Sequence, residues 1–117
     1  MKVSVITVSY NSAKTIEDAI QSVLGQTHHD VEYIVVDGAS SDGTVQVIDK
    51  YKDRISKVIV EHDYGIYDAM NKGIRAATGD IIGFLNADDT FVGNRVLEKI
   101  AEAFVQNDVD SVYGDLC

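Results

Sequence analysis

Residues 31–44 read VEYIVVDGASSDGT. Val31 to Asp37 is rich in β-branched and aromatic residues, too short for a helix and followed by turn formers. It reads as a strand buried on both faces. Asp37 closes the strand, where its carboxylate can bond a base or ribose edge. Gly38 lets the chain turn sharply and approach a ligand closely. Asp42, Gly43 and Thr44 read as an N-cap and first turn. They open a helix carrying Val45, Ile48 and Tyr51 at helical spacing. Strand, polar loop and helix together make one unit of a parallel α/β fold.

The unit recurs in both directions. Upstream, Val3 to Tyr10 (VSVITVSY) is a first buried strand. Asn11 or Ser12 can cap the helix that follows, which carries Ile16, Ala19, Ile20, Val23 and Leu24. Glu17 and Asp18 fall in its first turn, where the helix dipole favours anions. Downstream come a shorter strand, Lys57 to Glu61, and a helix from Ile66 to Ala77 with Gly79 as its stop. Asp80 to Leu85 is the next strand and runs into Asn86-Ala87-Asp88-Asp89. Asn94 caps a last helix with Val96, Leu97, Ile100, Ala101 and Phe104 on one face. Asp110 to Tyr113 opens a fifth strand. The expected fold is therefore α/β, a mostly parallel sheet flanked by helices. Ligands of such sheets bind beyond the carboxyl ends of the strands, where the strand order reverses. The residues to examine are Tyr10 and Asn11, Asp37 to Thr44, His62 to Tyr64, and Asn86 to Thr90.

Bulk composition narrows the function. The 117 residues suffice for one domain, 1–117. No apolar run approaches the roughly 18 residues that span a bilayer. The N-terminal segment reads as a strand rather than a signal peptide. One cysteine, Cys117, implies a reducing cytoplasmic compartment without disulfides. A net charge of −9 excludes a nucleic-acid groove. For a phosphate ligand it calls for a divalent cation between protein carboxylates and phosphates. Most of the acids otherwise serve solubility.

Adjacent carboxylates at Asp88 and Asp89 repel each other on a loop after a buried strand, and a hard cation relieves that repulsion. Asp89 is the first candidate metal ligand. Asp88 bonds the ribose or helps hold the ion, Mn²⁺ or Mg²⁺. The plain alternative makes both residues turn formers. Gly73, inside the helix that begins at Ile66, costs about 1 kcal/mol against Ala and implies close packing or close ligand approach. Lys72 and Arg75 are the basic residues nearest to any phosphate, unless they are simply solvated. His28, His29 and His62 lack metal-ligand spacing. The first turn, SYNSAK, has no glycine and cannot cradle a dinucleotide pyrophosphate.

In combination these segments resemble family 2 glycosyltransferases of the GT-A fold. VSVITVSYNSAKTIEDAIQSVLGQT resembles their opening strand and helix, and VEYIVVDGASSDGT their uridine-contacting loop. GIYDAMNKGIRAATGDIIGFLNADD is similar to the segment leading to their Asp-x-Asp metal motif, and VYGD to the strand after it. The resemblance implies that Thr7, Ser9, Tyr10 and Asp37 contact base and ribose. It also implies that Asp88 sits at the ribose, Asp89 on the metal, and Gly73 and Asp80 beside the donor. It further implies inverting sugar transfer from a nucleotide sugar, such as a UDP-sugar, to a saccharide or lipid-linked acceptor in bacterial polysaccharide or glycolipid synthesis. That work would be done in the cytoplasm or at the inner membrane face. Asn86 departs from the usual first Asp of the motif. Such domains usually run about a hundred residues longer, and their acceptor-deprotonating Asp has no match here, so the general base is expected beyond Cys117. The competing reading is a nucleotide-binding module without transferase activity. A sheet edge near the fifth strand leaves self-association open.

Overall fold

The computed structural model describes residues 2–107. Four strands form one parallel sheet: β1 (Val3–Ser9), β2 (Val31–Asp37), β3 (Lys57–Val60) and β4 (Ile81–Phe84), in the order β3-β2-β1-β4. The helices are α1 (Ile16–Leu24), α2 (Thr44–Tyr51), α3 (Ile66–Ala76) and α4 (Val96–Asn107). The four strands and four helices expected within these residues appear, and where ends were expected they agree to within a residue. The expected fifth strand, Asp110 to Tyr113, lies outside the described residues, as does the Phe104 side chain. No helix among the described residues is long and apolar enough to cross a membrane.

Topology follows from handedness. β1-α1-β2 and β2-α2-β3 step across the sheet in one direction, so right-handed crossovers place α1 and α2 on the same face. The step from β3 to β4 reverses direction, which puts α3 on the other face. Accordingly Val3, Val5, Val35, Ile16, Ile20, Ile48 and Leu97 share one core, and Ile6, Ile34, Val36 and Ala69 the other. Central β1 and β2 are buried nearly throughout, while β3 alternates between half-buried and exposed positions.

Two helix caps differ from expectation. The Ser12 carbonyl, not a side chain, accepts the Thr15 and Ile16 N–H groups ahead of α1. Asn94 does not cap α4. Its carbonyl accepts the Thr27 N–H at 2.7 Å, and the Leu97 N–H finds Gln26 Oε1 at 3.1 Å. A residue far away in sequence fills the cap because the α1 terminus packs there.

Gly73 faces the sheet, not a ligand. A Cβ there would lie 2.5 Å from Ile6 Cγ2, so the missing side chain lets α3 settle onto β1. Gly79 is likewise a close-approach residue rather than a helix stop. Its N–H donates to Ser4 Oγ at 2.8 Å, and a Cβ would meet that oxygen.

The amino edge of the sheet is tied by Glu32, which is buried. Its Oε1 accepts the Ser4 hydroxyl and the Thr78 N–H, both at 2.8 Å, and Oε2 accepts the Thr78 hydroxyl at 2.9 Å. Lys57 pairs with Oε2 at 3.2 Å. Asp80 belongs to this edge as well. Its Oδ2 accepts the Lys2 N–H at 3.0 Å, and its N–H donates to the Lys2 carbonyl. Residue 80, expected to flank the donor, precedes β4 and so lies at the amino edge of the sheet, away from the strand ends where sites in parallel sheets form.

Burial alone would raise the Glu32 carboxyl. The hydrogen bonds from Thr78 and Ser4 and the Lys57 ammonium outweigh it and hold the pKa at about 2, against an ordinary 4.5. A depressed carboxylate contributes stability that is complete well above pH 4.5 and lost as pH falls toward 2, here on the order of 3 kcal/mol. Urea unfolding between pH 7 and 2 should show this limb, and Glu32→Gln should remove most of it. Gly73→Ala separates propensity from packing. Propensity alone would stabilise α3 by about 1 kcal/mol, but overlap with Ile6 should make the variant less stable by about 1–3 kcal/mol in the same assay. A more stable variant would disprove the close contact.

Candidate functional site

The chain steps from β1 to β2 to β3 in one direction and then returns to place β4 on the other side of β1, so the strand order reverses between β1 and β4, where ligands of parallel sheets bind at the carboxyl ends. An open cavity of about 460 Å³ lies there. The end of β1 contributes Val8, Ser9, Tyr10 and Ser12. The loop between β3 and α3 contributes Asp63, Gly65 and Ile66, and the loop after β4 contributes Asn86, Ala87 and Asp88.

Asp37 organises this end without lining it. It is fully buried, opposite Ser9 in the sheet register. Its Oδ1 accepts the hydroxyls of Ser9 and Ser40, both at 2.7 Å, and Oδ2 accepts the Ser40 N–H at 2.8 Å. Ser40 Oγ in turn accepts the Asn11 N–H at 2.8 Å, and Asn11 Oδ1 accepts the Ser41 N–H at 2.9 Å. The Ser12 N–H reaches Thr44 Oγ1 at 2.8 Å, and the Ala13 N–H reaches Asp42 Oδ2 at 3.2 Å. The loops after β1 and β2 are thus laced together. Asn11 holds φ 50°, a left-handed conformation that asparagine tolerates. Gly43, rather than Asp42, is the N-cap residue of α2. Asp42 still accepts the Thr44 N–H at 3.1 Å. The Thr44 hydroxyl, ahead of slight desolvation, and the neighbouring N–H groups keep the Asp42 carboxyl below its ordinary range.

The residues expected at a ligand divide clearly. Ser9 and Tyr10 line the cavity, and the Tyr10 ring is 64% exposed. Thr7 does not reach it. It is fully buried, and its hydroxyl shares a 2.8 Å hydrogen bond with Tyr33, whose phenol burial pushes above its ordinary range despite that bond. Gly38 does not line the cavity but packs against two residues that do. A Cβ there would lie 2.7 Å from Asp63 Oδ2 and 3.2 Å from Tyr10 Cδ1. Gly73 and Asp80 belong to the packing contacts described above.

After β4 the Asp89 N–H donates to the Asn86 carbonyl at 3.0 Å, making a tight turn with Ala87 and Asp88 at its corners. Asp88 is exposed and lines the cavity. Asp89 is half-buried and does not line it. Among the described residues, no group of three or more His, Cys, Asp or Glu side chains is placed to hold a metal. At this turn the cavity offers an ion the Asp88 carboxylate and the neighbouring Asn86 side chain, oxygen donors of the kind that suit a hard cation completing its shell with phosphate and water.

No lining residue is basic. Lys72 turns away, its ammonium donating to the His62 carbonyl at 2.8 Å and pairing with Glu61 at 3.3 Å and Asp68 at 3.6 Å. Asp68 also accepts the Tyr64 N–H at 3.0 Å, the main reason its carboxyl lies below the ordinary range. These bonds brace the loop that presents Asp63. The sequence reading pointed to residues 62–64 as a loop after a strand but assigned Asp63 no role. Its only local signal is its position just past β3.

The glycosyl transferase family 2 model matches residues 4–116. An uncharacterized glycosyltransferase of Nostoc sp. is 40% identical over 115 residues, covering 96% of this chain and 35% of its own length. A putative teichuronic acid biosynthesis glycosyltransferase of Bacillus subtilis is 40% identical over 107 residues, covering 89% and 42%. Among solved structures, S. aureus TarS in complex with UDP-GlcNAc superposes with a TM-score of 0.78 at 31% identity, over 92% of this chain and 32% of that one. A Pyrobaculum calidifontis mannosyltransferase in complex with GDP-Man and Mn²⁺ gives 0.81 at 27% identity, over 88% and 32%. The chain thus spans well under half the length of these relatives.

If Asp37 is a structural tie, Asp37→Asn should lower unfolding stability by about 1–3 kcal/mol, because the buried Ser9 and Ser40 donors lose a charged acceptor. Chemical denaturation measures this. Unchanged stability would contradict the tie.

Proposed function

The chain belongs to glycosyl transferase family 2, and on that premise we propose that residues 1–117 form the donor-binding half of a GT-A glycosyltransferase domain. The reaction is transfer of a sugar from a nucleotide-diphosphate donor, a UDP-sugar, to an acceptor hydroxyl with inversion. The setting is bacterial polysaccharide or glycolipid synthesis. The observation that carries this reading is the cavity at the β1/β4 reversal, which holds two carboxylates and no basic side chain. An anionic donor in such a cavity needs a cation. The likeness to solved glycosyltransferases in complex with UDP-GlcNAc, and with GDP-Man and Mn²⁺, supports both the donor class and the ion.

In this reading the nucleoside lies against Ser9 and Tyr10, and the diphosphate lies toward the turn after β4. Asp88, with Asn86 beside it, holds Mn²⁺ or Mg²⁺. The bound ion supplies Lewis-acid stabilisation of the leaving diphosphate. The chain's own contribution is positional. The Asp37 network fixes Ser9 and the adjoining loop, and the Asn86–Asp89 turn presents the Asp88 carboxylate. The acceptor pocket and the base that takes the acceptor proton belong, on this proposal, to the further length that the relatives possess. The acceptor is a saccharide or a lipid-linked sugar, met in the cytoplasm or at the inner membrane face.

Calorimetric titration of the chain with UDP tests the reading. Affinity should be at least about tenfold higher with Mn²⁺ or Mg²⁺ than with EDTA, the difference made by one shared ion. Asp88→Asn should abolish most of that difference, and Asp89→Asn should leave most of it. Equal affinity with and without metal would remove the cation from the proposal. Absence of UDP binding under both conditions would remove the donor.

A further inference from the structure

We propose that Gln26 is a positioning residue for the cation: with Ser22 it clamps the segment that leaves the Asn86–Asp89 turn, and so sets the Asp88 carboxylate for the ion. The inference rests on the donor reading above and adds to it a residue outside the cavity. Gln26 lies two positions past the end of α1 and does not line the cavity. Its one carboxamide joins three segments. Nε2 donates to the Ser22 carbonyl at 3.0 Å and to the Gly93 carbonyl at 2.8 Å, and Oε1 accepts the Leu97 N–H at 3.1 Å. Both amide hydrogens and the oxygen are engaged. A carboxylate in this place would set two carbonyls against an acceptor-only group.

The clamped segment has little else to hold it. Residues 90–95 form neither helix nor strand before α4 begins at Val96. The end of α1 supplies the anchors. Two residues beyond Asp89, the Phe91 N–H donates to Ser22 Oγ at 3.2 Å, and the buried Phe91 side chain joins the core that holds Val23 and Ala87. Gly93 follows in the left-handed region, φ 89°, with its carbonyl on Gln26. The Asn94 carbonyl then accepts the Thr27 N–H at 2.7 Å. The turn itself is closed by the bond from the Asp89 N–H to the Asn86 carbonyl, so its outgoing end takes its direction from α1. A cation makes this placement matter. Among the described residues no group of three His, Cys, Asp or Glu side chains surrounds Asp88, so the ion depends on how well one carboxylate is aimed. Small divalent ions demand near-ideal ligand geometry, and a ligand that must first be ordered binds more weakly. The proposed nucleoside contacts, Ser9 and Tyr10, belong to the other side of the cavity and do not depend on the clamp. Loss of Gln26 therefore weakens the metal-dependent part of donor binding and spares the rest.

The test is calorimetric titration with UDP, in Mn²⁺ and in EDTA, with circular dichroism to verify folding. The proteins are the chain itself, Gln26→Met, Ser22→Ala, Asp88→Asn, Asp88→Asn combined with Gln26→Met, and Glu32→Gln as a control. Gln26→Met keeps the side-chain length and removes all three hydrogen bonds. The gain in affinity from Mn²⁺, at least about tenfold in the unaltered chain, should fall below about threefold in Gln26→Met, while affinity in EDTA stays within about twofold. Combined with Asp88→Asn, Gln26→Met should bring no further loss in Mn²⁺, because both act on one ion. Glu32→Gln loosens the opposite edge of the sheet and should keep the full gain, which separates positioning from lost stability. An undiminished gain in Gln26→Met would overturn the inference and leave the donor reading intact. So would a loss of equal size in Mn²⁺ and in EDTA, the mark of a purely structural residue. No gain in the unaltered chain would remove the cation and this inference together, and no UDP binding under either condition would remove the donor as well. Should Gln26→Met fail to fold, Ser22→Ala decides. It takes the acceptor from the Phe91 N–H, and an undiminished gain there would refute the clamp.

Discussion

β1 and β2 are covered on both faces, so polar side chains along their length must find partners within the protein or sit at the strand ends. The hydrogen bond between Ser9 and Asp37 at one end, and between Ser4 and Glu32 at the other, meets this constraint across the same pair of strands. An unpaired carboxylate at either position would carry a desolvation cost of several kcal/mol. Each acid therefore gathers donors from adjacent loops. Glu32 collects the segment before β4, and Asp37 collects the turns after β1 and β2. The two ends of the sheet are set by charge satisfaction as much as by apolar packing.

The consequences for the site lie at the carboxyl end. Because Asp37 ties Ser9 to Ser40, and Asn11 extends the tie to Ser41, the floor of the cavity is rigid before any ligand arrives. Preorganisation of this kind lowers the ordering cost of binding. The walls come from elsewhere. The loop after β3 is braced by Lys72, and the turn after β4 is closed by one backbone hydrogen bond. A cavity with acids and no basic residue on its surface is unsuited to a bare diphosphate, and the proposed cation on Asp88 is what would make it suited. On that proposal the chain's excess of negative charge acquires a local meaning at the cavity.

Glycine does structural work in this small sheet by absence of volume. Gly73 admits Ile6, Gly79 admits Ser4, and Gly38 admits Asp63. Of the residues so admitted, Asp63 alone lines the cavity. Read from sequence, glycines near a suspected site all invite a ligand-contact interpretation. The distances separate those that bring helix or loop onto the sheet from the one that shapes the wall.

The sequence by itself determined the parallel α/β architecture, the placement of the four strands and four α-helices and the strand ends where a site is expected. Those features follow from periodicity and punctuation, which are local. It also singled out Ser9, Tyr10 and Asp88 at the cavity. Only the tertiary structure decided which candidates face the crevice. Thr7 lies one residue pair inward and is sealed by Tyr33. Asp89 is one step past the corner of its turn, and Asp80 precedes its strand and so falls on the opposite edge. Asp63 and the Gln26 cap of α4 depend on contacts between segments far apart in sequence. Periodicity specifies that a residue follows a strand. The direction in which its side chain points, and whether its oxygens are already taken, depend on neighbours brought there by the crossover connections.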